Sequence, residues 1–148
     1  MDAIDVVKAG LAASEAGQTS KFSDFLSDDM VFTGPVPEPV GKREFVGLMT
    51  AMVAGIPDWK FNSKDFKQVG DKVTVTFQIT GTQTRELSLP MPGIPKIPAS
   101  GKRISLPQEP TTITVKDGKI SRLESAVVAG GGVMGVLAQL DIAIPQMP

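Results

Sequence analysis

The sequence contains no cysteine, no histidine and no tyrosine, and it has a single tryptophan, Trp59. Without cysteine the chain has no disulfide and no thiolate chemistry. Without histidine and tyrosine it cannot form a histidine-dependent triad, a histidine-ligated zinc site or a tyrosine general acid. Any chemistry therefore depends on carboxylates, lysine, arginine, hydroxyl groups or the backbone, and we expect neither a cofactor nor a metal.

The sequence also lacks an excess of either charge. Its 15 lysines and arginines are scattered among 16 aspartates and glutamates, which gives a net charge of -1. A protein that binds nucleic acid needs a basic surface for phosphates or aromatic side chains for bases. Because aromatic residues make up only 5% of this chain, we expect no nucleic-acid partner.

Long hydrophobic segments are missing as well. The longest apolar run, residues 126–138, is too short to span a bilayer and contains a cluster of glycines. The first five residues include Asp2 and Asp5, whereas a signal peptide would be basic there. We therefore expect a cytoplasmic protein with no membrane partner.

What is present is the pattern of one α+β domain over residues 1–148. Residues 72–80 alternate apolar and polar side chains, which is typical of a half-buried strand. Four successive strands are predicted between Trp59 and Val128. They are joined by two tight turns and by a proline-rich segment, residues 87–102, that we call the flap and expect to be packed.

Helical periodicity predicts three helices before the sheet and one after it. The predictions are a helix capped by Asp2 that ends near Gly17, a second capped by Thr19 or Ser20, a third from Lys42 to about Ala54, and a terminal helix through Leu140 before the tail 141–148. A short strand, Met30–Phe32, is expected between the second and third helices. The fold class is thus α+β, with an antiparallel sheet packed on the N-terminal helices.

The turn at Gly70-Asp71 predicts the pairing of the first two strands. Val69 should face Lys72, and Phe66 should face Val75. Extending this register places Trp59 and Phe61 on the wrong face, so we expect a bulge between Phe61 and Phe66.

The turn at Asp117-Gly118 predicts the second hairpin. The expected pairs are Lys116 with Lys119, Val115 with Ile120, Ile113 with Arg122, Thr111 with Glu124, and Glu109 with Ala126. Glu109 and Glu124 would then be diagonal neighbours on the apolar face, roughly 7–8 Å apart at the backbone. Arg85 shares the parity of Phe77 on the same face.

These three charged residues are the candidate catalytic groups. Desolvation in a cavity would raise a carboxyl pKa enough for acid–base work, so Glu124 or Glu109 could move a proton while Arg85 steadies a developing enolate. A structural interpretation remains open, in which the arginines pair with the glutamates or the side chains reach solvent. The candidate substrate-binding residues are Trp59, Phe77, Met49, Met52 and Ile113, and all of them could equally be core residues.

Gly130, Gly132 and Gly135 match the spacing of a dinucleotide-binding fingerprint. The chain ends too soon after them for the second strand and the acidic residue that such a site requires. We interpret these glycines instead as the residues that let the terminal helix turn back over the sheet.

Several short segments, in their order and spacing, resemble the SnoaL-like polyketide cyclase branch of the nuclear transport factor 2-like superfamily. They are residues 25–32 (Phe-Leu-Ser-Asp-Asp-Met-Val-Phe), 41–45 (Gly-Lys-Arg-Glu-Phe), 55–59 (Gly-Ile-Pro-Asp-Trp), 93–95, 100–103, 117–120 and 133–140. The resemblance implies a curved, cone-shaped antiparallel sheet wrapped on a long helix, an apolar pocket for a hydrophobic small molecule, and homodimers. In the cyclases an aspartate just before the terminal helix acts as the general acid–base in an aldol ring closure. Gly132 occupies the matching position, so that acid is absent here.

Three functions remain open from the sequence. The first is a cyclase or isomerase that acts on a hydrophobic, polyketide-like carbonyl compound. The second is a non-catalytic pocket for such a molecule, with the flap as its lid. The third is a dimerisation module that uses the polar sheet face of Thr74, Thr76, Gln78 and Thr80. Epoxide hydrolysis, known on the same fold, fits less well because the chain has no tyrosine.

Overall fold

The computed structural model of the chain describes residues 2–34, 36, 38–90 and 94–142, and these residues form four helices and eight strands. The helices are α1 (Ala3–Glu15), α2 (Thr19–Asp24), α3 (Lys42–Gly55) and α4 (Gly132–Gln139). The strands are β1 (Leu26–Thr33), β2 (Val40–Gly41), β3 (Lys64–Val69), β4 (Lys72–Phe77), β5 (Thr80–Thr82), β6 (Arg103–Ser105), β7 (Glu109–Lys116) and β8 (Lys119–Ser125). The predicted tail lies outside the described residues from position 143 onward.

Six strands form one sheet in the order β2-β1-β8-β7-β4-β3, and β5 pairs with β6 in a separate two-stranded sheet. All neighbours in the large sheet are antiparallel except β1 and β8, which are parallel. The prediction of a wholly antiparallel sheet is therefore wrong at this pair. No hairpin joins β1 to β8, so no turn imposes opposite directions on them.

The predicted helices are all present. The Asp2 side chain accepts a hydrogen bond from the backbone N–H of Asp5 at 2.9 Å, which caps α1 as predicted. The cap position of α2 is Gln18 rather than Thr19 or Ser20, and no side chain bonds the helix end there. The short strand predicted at 30–32 is longer, because β1 begins at Leu26.

The first hairpin has its predicted turn and bulge. Val69 pairs with Lys72, and the register shifts between Lys64 and Lys67, so that two residues of β3 oppose one of β4. Asp65 has a φ of 58° at this point. The strand predicted over 72–80 is interrupted after Phe77, and Thr80 begins β5 in the other sheet.

The second hairpin departs from its predicted register after two pairs. Val115 pairs with Ile120 as expected, but the register then shifts, and Ile113 pairs with Leu123 instead of Arg122. Ser121 is the extra residue, and its hydroxyl donates to the carbonyl of Thr114 at 3.3 Å. Because one inserted residue sends every later side chain to the opposite face, the predicted partners of Arg122 and Glu124 are wrong.

The flap is packed, as predicted, over its described residues 87–90 and 94–102. Leu87 and Ile97 are buried, and each donates a backbone hydrogen bond to the other's carbonyl at 2.9 Å. The buried amide of Gln83 lies 3.1 Å from the carbonyl oxygens of Arg85, Ile97 and Pro98, and it accepts from the hydroxyl of Ser100. The hydrogen bonds of this one glutamine therefore stabilise a backbone that is irregular because its prolines prevent regular β-sheet pairing.

The hydrophobic core lies between the helices and the inner face of the large sheet. Val6, Val7 and Leu11 of α1 are buried against inner-face residues such as Val73 and Ile113. In the part of the chain that the structure describes, no helix has both the length and the apolar character that a membrane crossing requires.

Candidate functional site

A partly open cavity of about 80 Å³ lies in this core. All four helices and the inner face of the sheet contribute side chains to its wall. Its described lining consists of Leu11, Phe22, Leu26, Phe32, Val36, Phe45, Leu48, Met49, Met52, Trp59, Phe61, Phe77, Ile79, Leu106, Glu109, Ile113, Ile120, Leu123, Ser125, Gly132, Val133 and Val136. The wall is therefore almost wholly apolar, which is the usual character of a site for a small hydrophobic molecule.

The five residues proposed from the sequence as substrate-binding all line this cavity. Met49 and Met52 are three positions apart on α3, so they lie on the same face of that helix. Phe77 of β4 and Ile113 of β7 have inner-face parity and are buried. Trp59 enters from the segment between α3 and β3, and it is also buried.

Three aromatic rings form one part of the wall. Trp59 meets Phe61 edge-on with ring centroids 6.0 Å apart, and Phe61 contacts Phe77 at 5.1 Å. Both separations are typical of favourable aromatic pairs. The indole Nε1 of Trp59 is buried and has no hydrogen-bond partner among the described residues.

Glu109, the first residue of β7, places a carboxyl group in this apolar wall. It pairs with Phe77 across the sheet, and only 4% of its surface is exposed. Its Oε1 accepts a hydrogen bond from the backbone N–H of Gly132 at 3.2 Å, whereas its Oε2 is buried without a partner in the described structure. Among the described lining residues, Glu109 is the only one with an ionisable side chain.

Burial raises the pKa of Glu109 above its ordinary value of 4.5, because desolvation disfavours the carboxylate. The N–H of Gly132, which stabilises the charged form, opposes this shift without cancelling it. The carboxyl group therefore remains protonated to a higher pH than an exposed glutamate does. The raised pKa lets this group donate a proton at a pH where an exposed glutamate has already lost its own.

The raised pKa of Glu109 makes the stability of the ligand-free protein depend on pH. The folded state binds the proton more tightly than the unfolded state, so this contribution is present below pH 4.5 and is lost as pH rises through the raised pKa. We expect the melting temperature of Glu109→Gln, measured relative to that of the wild type, to rise as the pH increases from about 4 to about 8. Thermal unfolding across this range measures the difference. Parallel curves for the two proteins would contradict the assignment.

Glu124 and Arg85 are not part of this site. After the bulge at Ser121, Glu124 lies on the outer face of the sheet, where 42% of its side chain is exposed and its Oε1 lies 3.1 Å from Nε of Arg122. Arg85 is exposed, because β4 ends at Phe77 and the chain leaves the large sheet before position 85. The predicted grouping of Glu109, Glu124 and Arg85 on the inner face is therefore wrong for two of its three members.

A pair of hydroxyl groups that was not predicted from the sequence lies beside Glu109. Ser125 of β8 lines the cavity, and its Oγ lies 3.1 Å from Oγ1 of Thr111. Thr111 in turn donates to the backbone carbonyl of Glu109 at 3.2 Å. The predicted register turned Ser125 outward, so only the bulge reveals its inward position.

The glycines at the start of α4 allow this helix to begin in contact with the carboxyl group of Glu109. Gly130 and Gly132 have φ values of 81° and 68°, which favour glycine, and a Cβ atom on Gly131 would lie 3.2 Å from the Glu109 carboxyl. The triple glycine was the signal in the sequence, although it did not identify the side chain that the helix approaches. Among the described residues, no group of three or more carboxylates could hold a metal ion.

Solved structures similar to this one share its fold. AclR, a proposed hydroxylase from Streptomyces galilaeus, is 20% identical, with a TM-score of 0.73 over 99% of this chain and 84% of AclR. IdmH, a proposed polyketide cyclase from Streptomyces antibioticus, is 19% identical, with a TM-score of 0.71 over 96% of this chain and 100% of IdmH. A cystatin-fold protein from Novosphingobium aromaticivorans is 21% identical, with a TM-score of 0.61 over 84% of this chain and 97% of its own.

The sequence comparison agrees with these structures. No curated protein is significantly similar in sequence to this chain. The family profile of the SnoaL-like domain matches residues 7–123, which is most of the chain. The chain therefore belongs to the SnoaL-like domain family, within the nuclear transport factor 2-like superfamily.

Proposed function

We propose that this protein is an enzyme of the cyclase or isomerase kind, which moves a proton on a small hydrophobic carbonyl compound with Glu109 as general acid–base. One observation carries the proposal. A carboxyl group with a raised pKa lies in an apolar cavity, with one oxygen held by Gly132 and the other unpaired among the described residues. An apolar substrate fits this wall, and the free oxygen can reach a proton on it.

The proposed step begins with the ionised carboxylate. Oε2 of Glu109 takes a proton from the carbon next to a carbonyl, the C–H bond breaks, and its electron pair passes to the carbonyl oxygen as an enolate. If the substrate is a β,γ-unsaturated ketone, this enolate is conjugated with the double bond, and the carboxylic acid returns the proton to the γ carbon, which moves the double bond and is an isomerisation. Alternatively, the enolate carbon attacks a second carbonyl and the acid protonates the new alkoxide, which closes a ring. Exclusion of bulk water strengthens both transfers.

The family resemblance supports Glu109 as the acting carboxylate. In SnoaL-like cyclases the acid–base group is an aspartate just before the terminal helix, where this chain has Gly132. Glu109 lies on β7, and its carboxyl group accepts a hydrogen bond from the N–H of Gly132. A carboxyl group therefore lies beside the position of the family's aspartate, although it belongs to a different element. IdmH, which has the same fold, is a proposed polyketide cyclase, and this supports a carbonyl substrate.

Deuterium exchange tests the proposal without knowledge of the natural substrate. One-ring ketones such as cyclohexanone in D₂O should exchange their α-hydrogens faster with the protein than with buffer alone. Because the base must be ionised, we expect the protein-dependent rate to rise with pH through the raised pKa of Glu109 and then to level off. NMR of the ketone measures the rate. No exchange above the buffer rate at any pH contradicts the proposal.

A non-catalytic binding function is the second candidate, and one observation favours it. The described lining offers Glu109 alone as an ionisable group, with no arginine or lysine to hold an enolate. A carrier of this kind would gain melting temperature with an apolar ligand and would show no exchange. The two experiments together separate the candidates.

We also propose that the chain is a single SnoaL-like domain that forms a homodimer, as the family resemblance implies. The contact would use the outer sheet face, where Thr74 is exposed and Thr76 is half-buried. Sedimentation at micromolar concentration measures the mass, and a monomer would contradict the dimer.

A further inference from the structure

Two buried polar atoms in the cavity wall lack a hydrogen-bond partner in the described part of the chain. They are Nε1 of Trp59 and Oε2 of Glu109, and both residues are only 4% exposed. A buried polar group without a partner is costly, and native proteins contain few of them. Elsewhere in this fold a buried amide, that of Gln83, is fully surrounded by partners. Trp59 and Glu109 both line the same cavity.

The two atoms lie apart along the same wall. Glu109 pairs with Phe77 across the sheet, the Phe77 ring contacts that of Phe61, and the Phe61 ring contacts Trp59. Apolar surface therefore separates the carboxyl group from the indole. A molecule lying along these rings would have Trp59 near one end and Glu109 near the other.

The chemistry of the two atoms defines what such a molecule must carry. An indole N–H only donates, so its partner must be an acceptor. A protonated Glu109 also donates through its free oxygen. We propose that the ligand is a small apolar compound with two carbonyl oxygens, one bound by Glu109 and the other by the indole N–H of Trp59.

This inference rests on the proposed function for the Glu109 end, and it adds a role for Trp59. In a ring closure one carbonyl becomes the enolate and the other becomes the alkoxide. Trp59 would hold the enolate oxygen, while Glu109 protonates the alkoxide. The indole N–H then supplies the stabilisation of the enolate that was expected from Arg85.

The cavity volume limits the size of this compound. The cavity has about 80 Å³, whereas a dry cavity of about 150 Å³ binds benzene in another protein. One ring therefore enters only if neighbouring side chains move. Met49 and Met52, whose unbranched side chains adapt easily, line the wall and can make that space. The ligand is accordingly of one-ring size.

A pair of probes tests the second oxygen directly. Cyclohexanone and cyclohexane-1,4-dione have similar shapes, but only the dione carries two acceptors. Because Trp59 is the only tryptophan, the protein has a single indole N–H resonance in a ¹H–¹⁵N spectrum. At mildly acidic pH we expect the dione to shift this resonance downfield and to bind about tenfold more tightly than cyclohexanone, which should leave it nearly unmoved.

Trp59→Phe supplies the matched variant, since phenylalanine keeps an aromatic ring and removes the N–H. We expect it to lose the preference for the dione, so that calorimetry gives nearly equal affinities of this variant for the two probes. Equal binding of the two probes with an unmoved resonance would overturn this inference, and so would a preference that survives in Trp59→Phe. Neither result bears on Glu109, whose role depends on deuterium exchange. Failure of both probes to bind would overturn the inference together with the pocket.

Discussion

Glu109→Gln is expected to lower the rate of protein-dependent α-proton exchange by at least about 100-fold, which is the scale of general acid–base catalysis by one side chain. Glutamine is nearly the same size and keeps an oxygen for the N–H of Gly132, which lies 3.2 Å from Oε1. Its amide cannot take a proton from carbon. The variant therefore removes the chemistry with little change in the wall of the cavity. Deuterium incorporation into cyclohexanone, followed by NMR, measures the effect.

Glu124→Gln is the matched control. Glu124 lies on the outer face beside Arg122 and does not line the cavity. We expect its exchange rate to stay within about twofold of the wild type, because an exposed ion pair contributes little to the fold. Full activity in Glu109→Gln, or a large loss of activity in Glu124→Gln, would contradict the assignment of Glu109 as the general acid–base.

Gly135→Ala is expected to destabilise the protein by about 3 kcal/mol, the upper part of the range for overpacking. A Cβ atom at this position would overlap the carbonyl oxygen of Gly130 and would lie 2.7 Å from the carbonyl carbon. Both atoms belong to the backbone, which cannot relieve the overlap by changing rotamer as a side chain can. The helix α4, which closes the cavity with Val133 and Val136, would have to shift.

Gly47→Ala in α3 separates this contact from the ordinary effect of alanine in a helix. The nearest atom to a Cβ at position 47 is Cγ of Pro90, at 4.0 Å. There the substitution should stabilise the protein by about 0.5–1 kcal/mol, because alanine is the better helix former. Urea unfolding of both variants gives the two free energies. A change of the same sign in both would contradict the close approach of α4 to Gly130.

Local patterns in the sequence were sufficient for most elements. The alternation in β4, the Asp2 cap of α1 and the turn before Ile120 each depend on neighbours a few residues apart, and the structure has all three. The parallel pairing of β1 with β8 could not be read in this way. It joins strands far apart in the chain, and no turn between them records their relative direction.

The candidate site shows the same division. Phe77 and Ile113 were assigned to the inner face by parity within single strands, and both line the cavity. Glu124 was assigned by counting across the hairpin from Val115 and Ile120, and the bulge at Ser121 reversed its face. A single inserted residue is enough for this reversal, because side chains alternate with a period of two.

The amino-acid sequence by itself limited which groups can act: without histidine, cysteine or tyrosine, any chemistry depends on carboxylates, lysine, arginine, hydroxyl groups or the backbone. It also determined the order of the helices and strands, because their signals are local. Only the tertiary structure decided which carboxylate is buried. That choice depends on a bulge in β8 and on the approach of α4 to Glu109, and both arise from packing between segments that are distant in the chain.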